Sequence, residues 1–230
     1  MIIITRHPAQ VSNLIKMLKA INQESIAIPL FEITNNNIAV PNLNFDIYIF
    51  ISVNSVDFFI KKHGILNNAL AISVGPVTAT ALKGWPSKIP DEFNSLGIAK
   101  LLNKYKVKKN ICVVCGEPYS DRLSFLTNHN ITYYPIYKRL PAPEKNLNLL
   151  KTTLQNKKIS AITFSSMYSL MNFHKFLLNN TYPTAQNCPW IVVNKAMATA
   201  IKKWGYTNKI IISDNATNAS IYAILKNKTI

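Results

Sequence analysis

The chain has 230 residues, a length that fits one large domain or two small ones of roughly 100–150 residues each. Its 26 Lys and Arg against 10 Asp and Glu give a formal net charge of +16, which favours an anionic partner: nucleic acid, a membrane surface or a polyacidic small molecule. The sequence has no apolar run of about 18 residues and no block of about five like charges, so we expect neither a membrane span nor a nucleic-acid-binding arm.

Short apolar runs alternate with helical patterns along the whole chain. The first run, 2–5, is followed by a helical pattern over 10–21 with Val11, Leu14, Ile15 and Leu18 on one face. Further buried strands are predicted at 25–29, 47–51, 71–74, 111–115, 132–135, 159–163, 191–193 and 210–212. Near-continuous apolar strands that alternate with helices indicate an α/β fold with parallel sheets flanked by helices.

The sequence also repeats itself. Segment 49–58 (IFISVNSVDF) returns as 163–172 (TFSSMYSLMN), and 74–82 (VGPVTATAL) returns as 193–201 (VNKAMATAI). A third pair is 26–33 (IAIPLFEI) with 132–139 (TYYPIYKR). Two α/β units of the same plan predict two lobes with a cleft between them, where small ligands commonly bind.

Two stretches with proline and polar residues, 29–41 and 135–143, lack helical periodicity and are the best candidates for linkers.

The usual cofactor and metal motifs are missing. The sequence contains no G-x-x-x-x-G-K-[ST], no G-x-G-x-x-G and no H-E-x-x-H, so we expect no cofactor and no metal. Cys112 and Cys115 have the spacing of a C-x-x-C motif, but they fall inside an apolar strand, which favours ordinary buried cysteines.

Polar residues and glycines follow several predicted strands and precede the next helices. Ser, Thr, Asn and Gly are common helix N-caps, and capping alone explains them. The carboxyl ends of strands in open α/β sheets are also where ligands bind, and helix N-termini attract carboxylates and phosphates. Both interpretations remain open at this point.

An ordered set of short motifs resembles the uroporphyrinogen-III synthase family, from residue 1 to about residue 223. The motifs are ITRHP at 4–8, Phe50-x-Ser52 with Val56 beyond, Val74-Gly75-x-x-Thr78-Ala79-x-Ala81-Leu82, Gly116 with Arg122-Leu123, Tyr137-Lys138-Arg139 and Thr163-Phe164-Ser165-Ser166.

The resemblance implies a discontinuous first lobe, 1–32 with 141–230, and a second lobe, 38–134. Two interlobe linkers, 33–37 and 135–140, would join them as a two-stranded linker. It implies a cofactor-free lyase of haem biosynthesis that cyclises hydroxymethylbilane, a linear tetrapyrrole with eight carboxylates, to uroporphyrinogen III. Water is lost and ring D is inverted. The +16 charge suits such a substrate, although compositional drift in a Lys- and Asn-rich chain also explains it.

The resemblance also implies the site residues. Tyr137 is the candidate proton donor to the departing hydroxyl, since a phenol is protonated at neutral pH; packing in the hinge is the competing interpretation. Backbone N–H groups after Ser52, Gly75, Gly116 and Ser165 would bind substrate carboxylates. The hydroxyls of Thr78 and Ser166 and the charges of Arg6 and Arg122 would assist, although anchoring of its helix to a neighbouring carboxylate is the slightly favoured interpretation of Arg122. The chain departs from the family pattern at 193–197, so no contact is assigned there.

We further expect a cytoplasmic monomer with reduced thiols and no signal peptide, and a transient contact with hydroxymethylbilane synthase. A non-catalytic two-lobed binding protein for an anionic metabolite is the main alternative. A nucleic-acid binder would need a clustered basic face, whereas the Lys residues here are dispersed.

Overall fold

The computed structural model describes residues 1–66, 68–179 and 181–226. The strands in this part of the chain are β1 (Ile2–Ile4), β2 (Ser25–Ala27), β3 (Phe31–Asn35), β4 (Ile47–Phe50), β5 (Leu70–Ser73), β6 (Ser87–Lys88), β7 (Asn110–Glu117), β8 (Asn130–Pro141), β9 (Ala161–Phe164), β10 (Trp190–Val192) and β11 (Ile210–Ile212). The helices are α1 (Pro8–Ala20), α2 (Val53–His63), α3 (Pro76–Ala81), α4 (Ser95–Leu102), α5 (Arg122–Leu126), α6 (Glu144–Asn156), α7 (Met167–Leu178), α8 (Pro183–Gln186), α9 (Lys195–Lys203) and α10 (Asn218–Lys226).

The chain divides into two compact units. Unit 1 consists of Met1–Glu32 and Pro141–Ile230, and unit 2 of Ile33–Leu140. Each unit contains its own sheet and its own hydrophobic core on both faces of that sheet.

The sheet of unit 1 has the strand order β11-β10-β9-β1-β2, and all its paired strands are parallel. Successive residues of each strand point to opposite faces. In β1, Ile3 packs into one core cluster with Phe164 and Trp190, while Ile2 and Ile4 pack into the other. Because both faces are covered, the strands are apolar at nearly every position.

The sheet of unit 2 has the order β3-β8-β7-β4-β5-β6, in which β8, β7, β4, β5 and β6 run parallel. The same alternation builds its two cores. Tyr48 and Phe50 of β4 pack on one face, and Ile47 and Ile49 pack on the other.

The two sheets are built to one plan. Two strands of each sheet come from the strand–helix–strand that opens one half of the sequence, and three come from the later part of the other half. These are β1 and β2 with β9 to β11 in unit 1, and β7 and β8 with β4 to β6 in unit 2, where β3 adds a sixth strand. The opening strands of each sequence half therefore join the later strands of the other half. This exchange explains why unit 1 is discontinuous in sequence.

The predicted fold class, α/β with parallel sheets flanked by helices, is confirmed. Each predicted strand corresponds to a strand of the structure, with ends shifted by a few residues. The sequence did not predict β3 and β6 as strands. Residues 33–37 and 135–140, expected as linkers, lie largely in β3 and β8, which are neighbours in the sheet of unit 2.

The three cysteines, Cys112, Cys115 and Cys188, are free and buried. Cys112 and Cys115 lie inside β7, as expected from the apolar run around them. Among the residues with a described position, no helix is long and apolar enough to cross a membrane.

Candidate functional site

Three of the predicted site residues share one edge of the sheet in unit 2. Ser52 follows β4, Gly75 follows β5 and Gly116 lies near the end of β7. These strands are neighbours and parallel, so their carboxyl ends meet at the same edge. The chain turns from one side of the sheet to the other between β4 and β7. Such a switch point is where open α/β sheets place their ligands.

Ser52 is the N-cap of α2. Its Oγ accepts a hydrogen bond from the backbone N–H of Ser55 at 3.1 Å, and its own N–H donates to Ser55 Oγ at 3.1 Å. This reciprocal capping box satisfies two backbone donors and fixes the position of the Ser52 hydroxyl. The capping interpretation of Ser52 therefore holds in the structure, and the N-terminus of a regular helix lies at the switch point.

A β-bulge sets the position of Tyr137. The register of β7 and β8 shifts after Cys115 pairs with Pro135, so Gly116 pairs with Tyr137 and Ile136 is the extra residue. Pro135 has no N–H to donate to the ladder, which makes this point suited to a bulge. The extra residue brings Tyr137 into the same core cluster as Tyr134, whereas regular alternation would place the two side chains on opposite faces.

The Tyr137 hydroxyl has two polar neighbours. Its oxygen lies 3.1 Å from Ser52 Oγ and accepts a hydrogen bond from Arg139 Nη2 at 3.3 Å. The Arg139 guanidinium carbon is 5.5 Å from the centroid of the Tyr137 ring, and the Phe58 ring stacks at a centroid distance of 5.6 Å. With these contacts Tyr137 is only 1% exposed, so its hydroxyl is held in place and largely shielded from solvent.

Gly116 is the residue that leaves room for this tyrosine. A Cβ atom built on Gly116 would lie 2.0 Å from Cε2 of the Tyr137 ring. No side chain fits there unless the ring moves. Gly116 is buried within β7 and is not at a helix N-terminus, because α5 begins only at Arg122.

Gly75 and Thr78 lie at the beginning of α3. Gly75 is the N-cap and has no side chain with which to cap the helix, and Thr78 is buried within the first turn. A Cβ on Gly75 would touch the Phe93 ring at 3.4 Å. Phe93 is itself 60% exposed, so an accessible aromatic ring lies over this helix start.

Arg122 begins α5 and is exposed. It lines a groove of about 470 Å³ together with residues from the start of α4 and the end of α5: Asn94, Ser95, Leu96, Phe125 and Leu126. The groove combines one cation with exposed apolar side chains, and the Phe125 side chain is 80% exposed.

The remaining predicted residues lie in unit 1. Ser165 and Ser166 follow β9, and Arg6 follows the neighbouring parallel strand β1, so the three share one sheet edge. Ser166 caps α7 by accepting from the N–H of Ser169 at 3.1 Å. Arg6 donates to the carbonyl oxygen of Ala216 at 3.0 Å and to Asn218 Oδ1 at 3.2 Å. Burial lowers the pKa of Arg6 from its ordinary value.

Asn194 stands where the first repeat has Gly75. It caps α9 with its side chain, whose Oδ1 accepts from the N–H of Met197 at 2.9 Å. The first N–H groups of α3 thus have no side-chain cap, whereas those of α9 are capped by Asn194.

Two further residues contribute to the Tyr137 environment. Arg139 is two residues after Tyr137 in β8, a spacing that places both side chains on one face, so its contact was accessible to sequence reasoning. Phe58 carries no sequence signal for its contact, since α2 and β8 are remote in the chain. In the part of the chain that the structure describes, no group of three or more His, Cys, Asp or Glu is placed to hold a metal ion.

The fold and its polar strand ends define a protein of two open α/β units, each with helix caps at the switch point of its sheet. The family model described as "Uroporphyrinogen-III synthase HemD" matches residues 12–223. The chain therefore belongs to the uroporphyrinogen-III synthase family, a family of haem biosynthesis enzymes, as the resemblance of its motifs indicated.

Solved structures of similar fold come from the same family. Uroporphyrinogen-III synthetase from Helicobacter pylori has a TM-score of 0.66 and 15% identity, covering 97% of each chain. A mutant uroporphyrinogen III synthase from the thermophilic bacterium Thermus thermophilus has a TM-score of 0.61 and 15% identity, covering 98% of this chain and 97% of the other. A sequence comparison with curated proteins found no match.

Proposed function

We propose that the protein converts hydroxymethylbilane to uroporphyrinogen III, with inversion of ring D and loss of water, which makes it a cyclising lyase. The observation that carries this assignment is the Tyr137 hydroxyl, held 3.1 Å from Ser52 Oγ at the switch point of unit 2, in a chain of this family. A proton donor at this position suits the departure of the terminal hydroxyl of the substrate.

The substrate carboxylates are proposed to bind at the sheet edges of the two units. Backbone N–H groups after Ser52, Gly75, Gly116 and Ser165 would donate hydrogen bonds to them. The Thr78 and Ser166 hydroxyls and the charges of Arg6 and Arg122 would assist. The capped N-termini of α2 and α7 favour negative charge, and Arg122 is exposed and lines a groove with apolar walls. Eight carboxylates and a +16 chain are complementary in charge.

Tyr137 is proposed as the source of the proton. The ring is fixed by Gly116, Phe58 and Arg139, so the hydroxyl does not have to be ordered when substrate binds. Positional fixing is compatible with the packing interpretation too, and activity measurements separate the two. General-acid assistance of this kind contributes about 10²–10⁴-fold.

We also propose that residues 33–37 and 135–140 connect two lobes, 1–32 with 141–230 and 38–134. The protein is proposed to act as a cytoplasmic monomer without a cofactor, and to meet hydroxymethylbilane synthase transiently.

The test is to supply hydroxymethylbilane to the purified protein and separate the product isomers. The expected product is isomer III, formed faster than the spontaneous closure to isomer I. Isomer I alone, at the spontaneous rate, would remove the proposed function. In that case, saturable binding of hydroxymethylbilane without turnover would favour the alternative of a non-catalytic binding protein.

A further inference from the structure

The accessibility of the two hydroxyls in the Ser52–Tyr137 pair differs. Tyr137 is 1% exposed, and its ring is covered by Phe58 and by the strand at Gly116. Ser52 is only partly buried. It lies two residues after the end of β4 and is the N-cap of α2. A substrate at this sheet edge therefore reaches the Ser52 hydroxyl before it reaches that of Tyr137.

The hydrogen bonds have a preferred direction. A guanidinium has donors and no acceptor, so Arg139 must donate to the Tyr137 oxygen. Tyr137 is then placed to donate its own proton to Ser52 Oγ, 3.1 Å away. Ser52 Oγ also accepts from the N–H of Ser55, which fills its two acceptor positions. The proton of Ser52 remains free to point outward, and the chain of donors runs from Arg139 through Tyr137 to Ser52.

The second copy of the repeat also has a serine cap, but a different residue stands at the position of Tyr137. In unit 1, Ile4 pairs with Thr163, three residues before the cap Ser166, and with Ala27. In unit 2, Val113 pairs with Ile49, three residues before the cap Ser52, and with Tyr133.

Four residues further along the chain stand Phe31, the first residue of β3, and Tyr137, within β8. Phe31 has no hydroxyl, and its ring packs edge-on against the Tyr168 ring with the centroids 5.3 Å apart. Ser166 still caps α7 in this copy of the repeat, where the residue that corresponds to Tyr137 has no hydroxyl.

We propose that the Ser52 hydroxyl delivers the proton to the departing hydroxyl of the substrate, and that Tyr137 and Arg139 act through it. This inference rests on the proposed function. The C–O bond of the hydroxymethyl group breaks with its electron pair on oxygen, which takes the Ser52 proton and leaves as water. Ser52 takes the Tyr137 proton, and the phenolate is stabilised by the adjacent Arg139 charge. Ring closure then releases one proton from carbon, which restores the phenol.

The test measures kcat and KM for isomer III formation in Ser52→Ala, Tyr137→Phe and the double variant. Each single variant is expected to lower kcat about tenfold or more with little change in KM. Because both residues act in one relay, the double variant is expected to lose no more than the stronger single variant. Ser52→Thr, which keeps both the hydroxyl and the cap, is expected to restore most of kcat.

Loss of a helix cap must be separated from loss of the relay. Ser52→Asn keeps a capping side chain but has no hydroxyl, and is expected to be as slow as Ser52→Ala. Asn194→Ala removes the cap of α9 in unit 1 and is expected to retain kcat. The relay would be overturned by a wild-type kcat in Ser52→Ala or Ser52→Asn. It would also be overturned if the fold-losses in kcat of the two single variants multiplied in the double variant. In either case, isomer III formation by the wild type would still support the proposed function. A wild-type protein that yields only isomer I would overturn both.

Discussion

Tyr137 packs so closely on Gly116 that a single added Cβ atom would lie 2.0 Å from its ring. The two residues face each other because a bulge in β8 shifts the register of the ladder after Cys115. The missing side chain at Gly116 and the extra residue in β8 together place a hydroxyl beside the cap of α2. The site of unit 2 thus depends on backbone features as much as on polar side chains.

Gly116→Ala is expected to reduce the free energy of unfolding by about 1–3 kcal/mol, because the new methyl group overpacks the Tyr137 ring. It should also lower kcat, since relief of the clash displaces the Tyr137 hydroxyl from Ser52. Urea denaturation and the isomer assay measure the two effects.

Gly75→Ala is the matched control for stability. Its Cβ would meet the Phe93 ring at an ordinary 3.4 Å, and its backbone is extended, so we expect a change below about 1 kcal/mol. In a Tyr137→Ala background the cost of Gly116→Ala should largely disappear. A cost that persists there would mean that the Gly116–Tyr137 contact is not its cause.

His174 is expected to make stability depend on pH. Its ring stacks on the Trp204 ring with the centroids 4.2 Å apart, and its Nδ1 lies 2.9 Å from the Tyr206 hydroxyl oxygen. Burial lowers the pKa of His174 below its ordinary value. The unfolded chain therefore binds this proton more readily. The contribution of His174 to stability is present above about pH 6.5 and is lost as pH falls through that value toward the lower folded pKa.

NMR titration of the imidazole should give a folded pKa for His174 below about 6.5. Urea unfolding at about pH 7.5 and about pH 5.5 should show a smaller loss of stability on acidification in His174→Gln than in the wild type. An equal loss in both proteins would contradict the assignment to His174.

The three cysteines are expected to be unreactive in the folded protein. Burial raises the pKa of Cys112, Cys115 and Cys188 to about 12, so almost no thiolate is present at about pH 8. A thiol reagent such as DTNB should react slowly with the native protein and rapidly with all three thiols in concentrated guanidinium chloride. Fast reaction of one native thiol would show that it is accessible and acidic.

Ser73 is a buried serine that we expect to destabilise the fold. Its Oγ is buried at the end of β5 and has no hydrogen-bond partner among the residues with described positions. Ser73→Ala removes an unsatisfied polar atom and should raise the free energy of unfolding by about 1 kcal/mol. Ser55 is equally buried, but its Oγ donates to the carbonyl of Ser52, so Ser55→Ala should lower stability. Urea denaturation that gives both variants the same sign would contradict this difference.

The sequence predicted the regular parts of the fold because their cause is local. The strand Ile47–Phe50 and its counterpart Ala161–Phe164 are apolar at nearly every position, as strands covered on both faces must be. The serine caps Ser52 and Ser166 could also be predicted, since each follows such a strand and precedes a helical pattern.

The environment of Tyr137 could not be predicted from the local sequence pattern. Regular alternation in β8 puts Tyr134 and Tyr137 on opposite faces, and only the pairing with β7 reveals the bulge that brings them together. The contact with Phe58 joins segments remote in sequence, and the close approach of Gly116 depends on that same register. Residue types suggested a proton donor, whereas its burial and its link to Ser52 required the tertiary structure.

The proton-donor role of Tyr137 is tested by comparing the rate of isomer III formation in the wild-type protein and in Tyr137→Phe. This variant keeps the ring against Gly116 and Phe58 and removes only the hydroxyl that contacts Ser52 and Arg139. We expect kcat to fall roughly tenfold or more, up to the about 10²–10⁴-fold that general-acid assistance contributes, while the enzymatic product remains isomer III. A Tyr137→Phe protein that forms isomer III at the wild-type rate would contradict the proton-donor role.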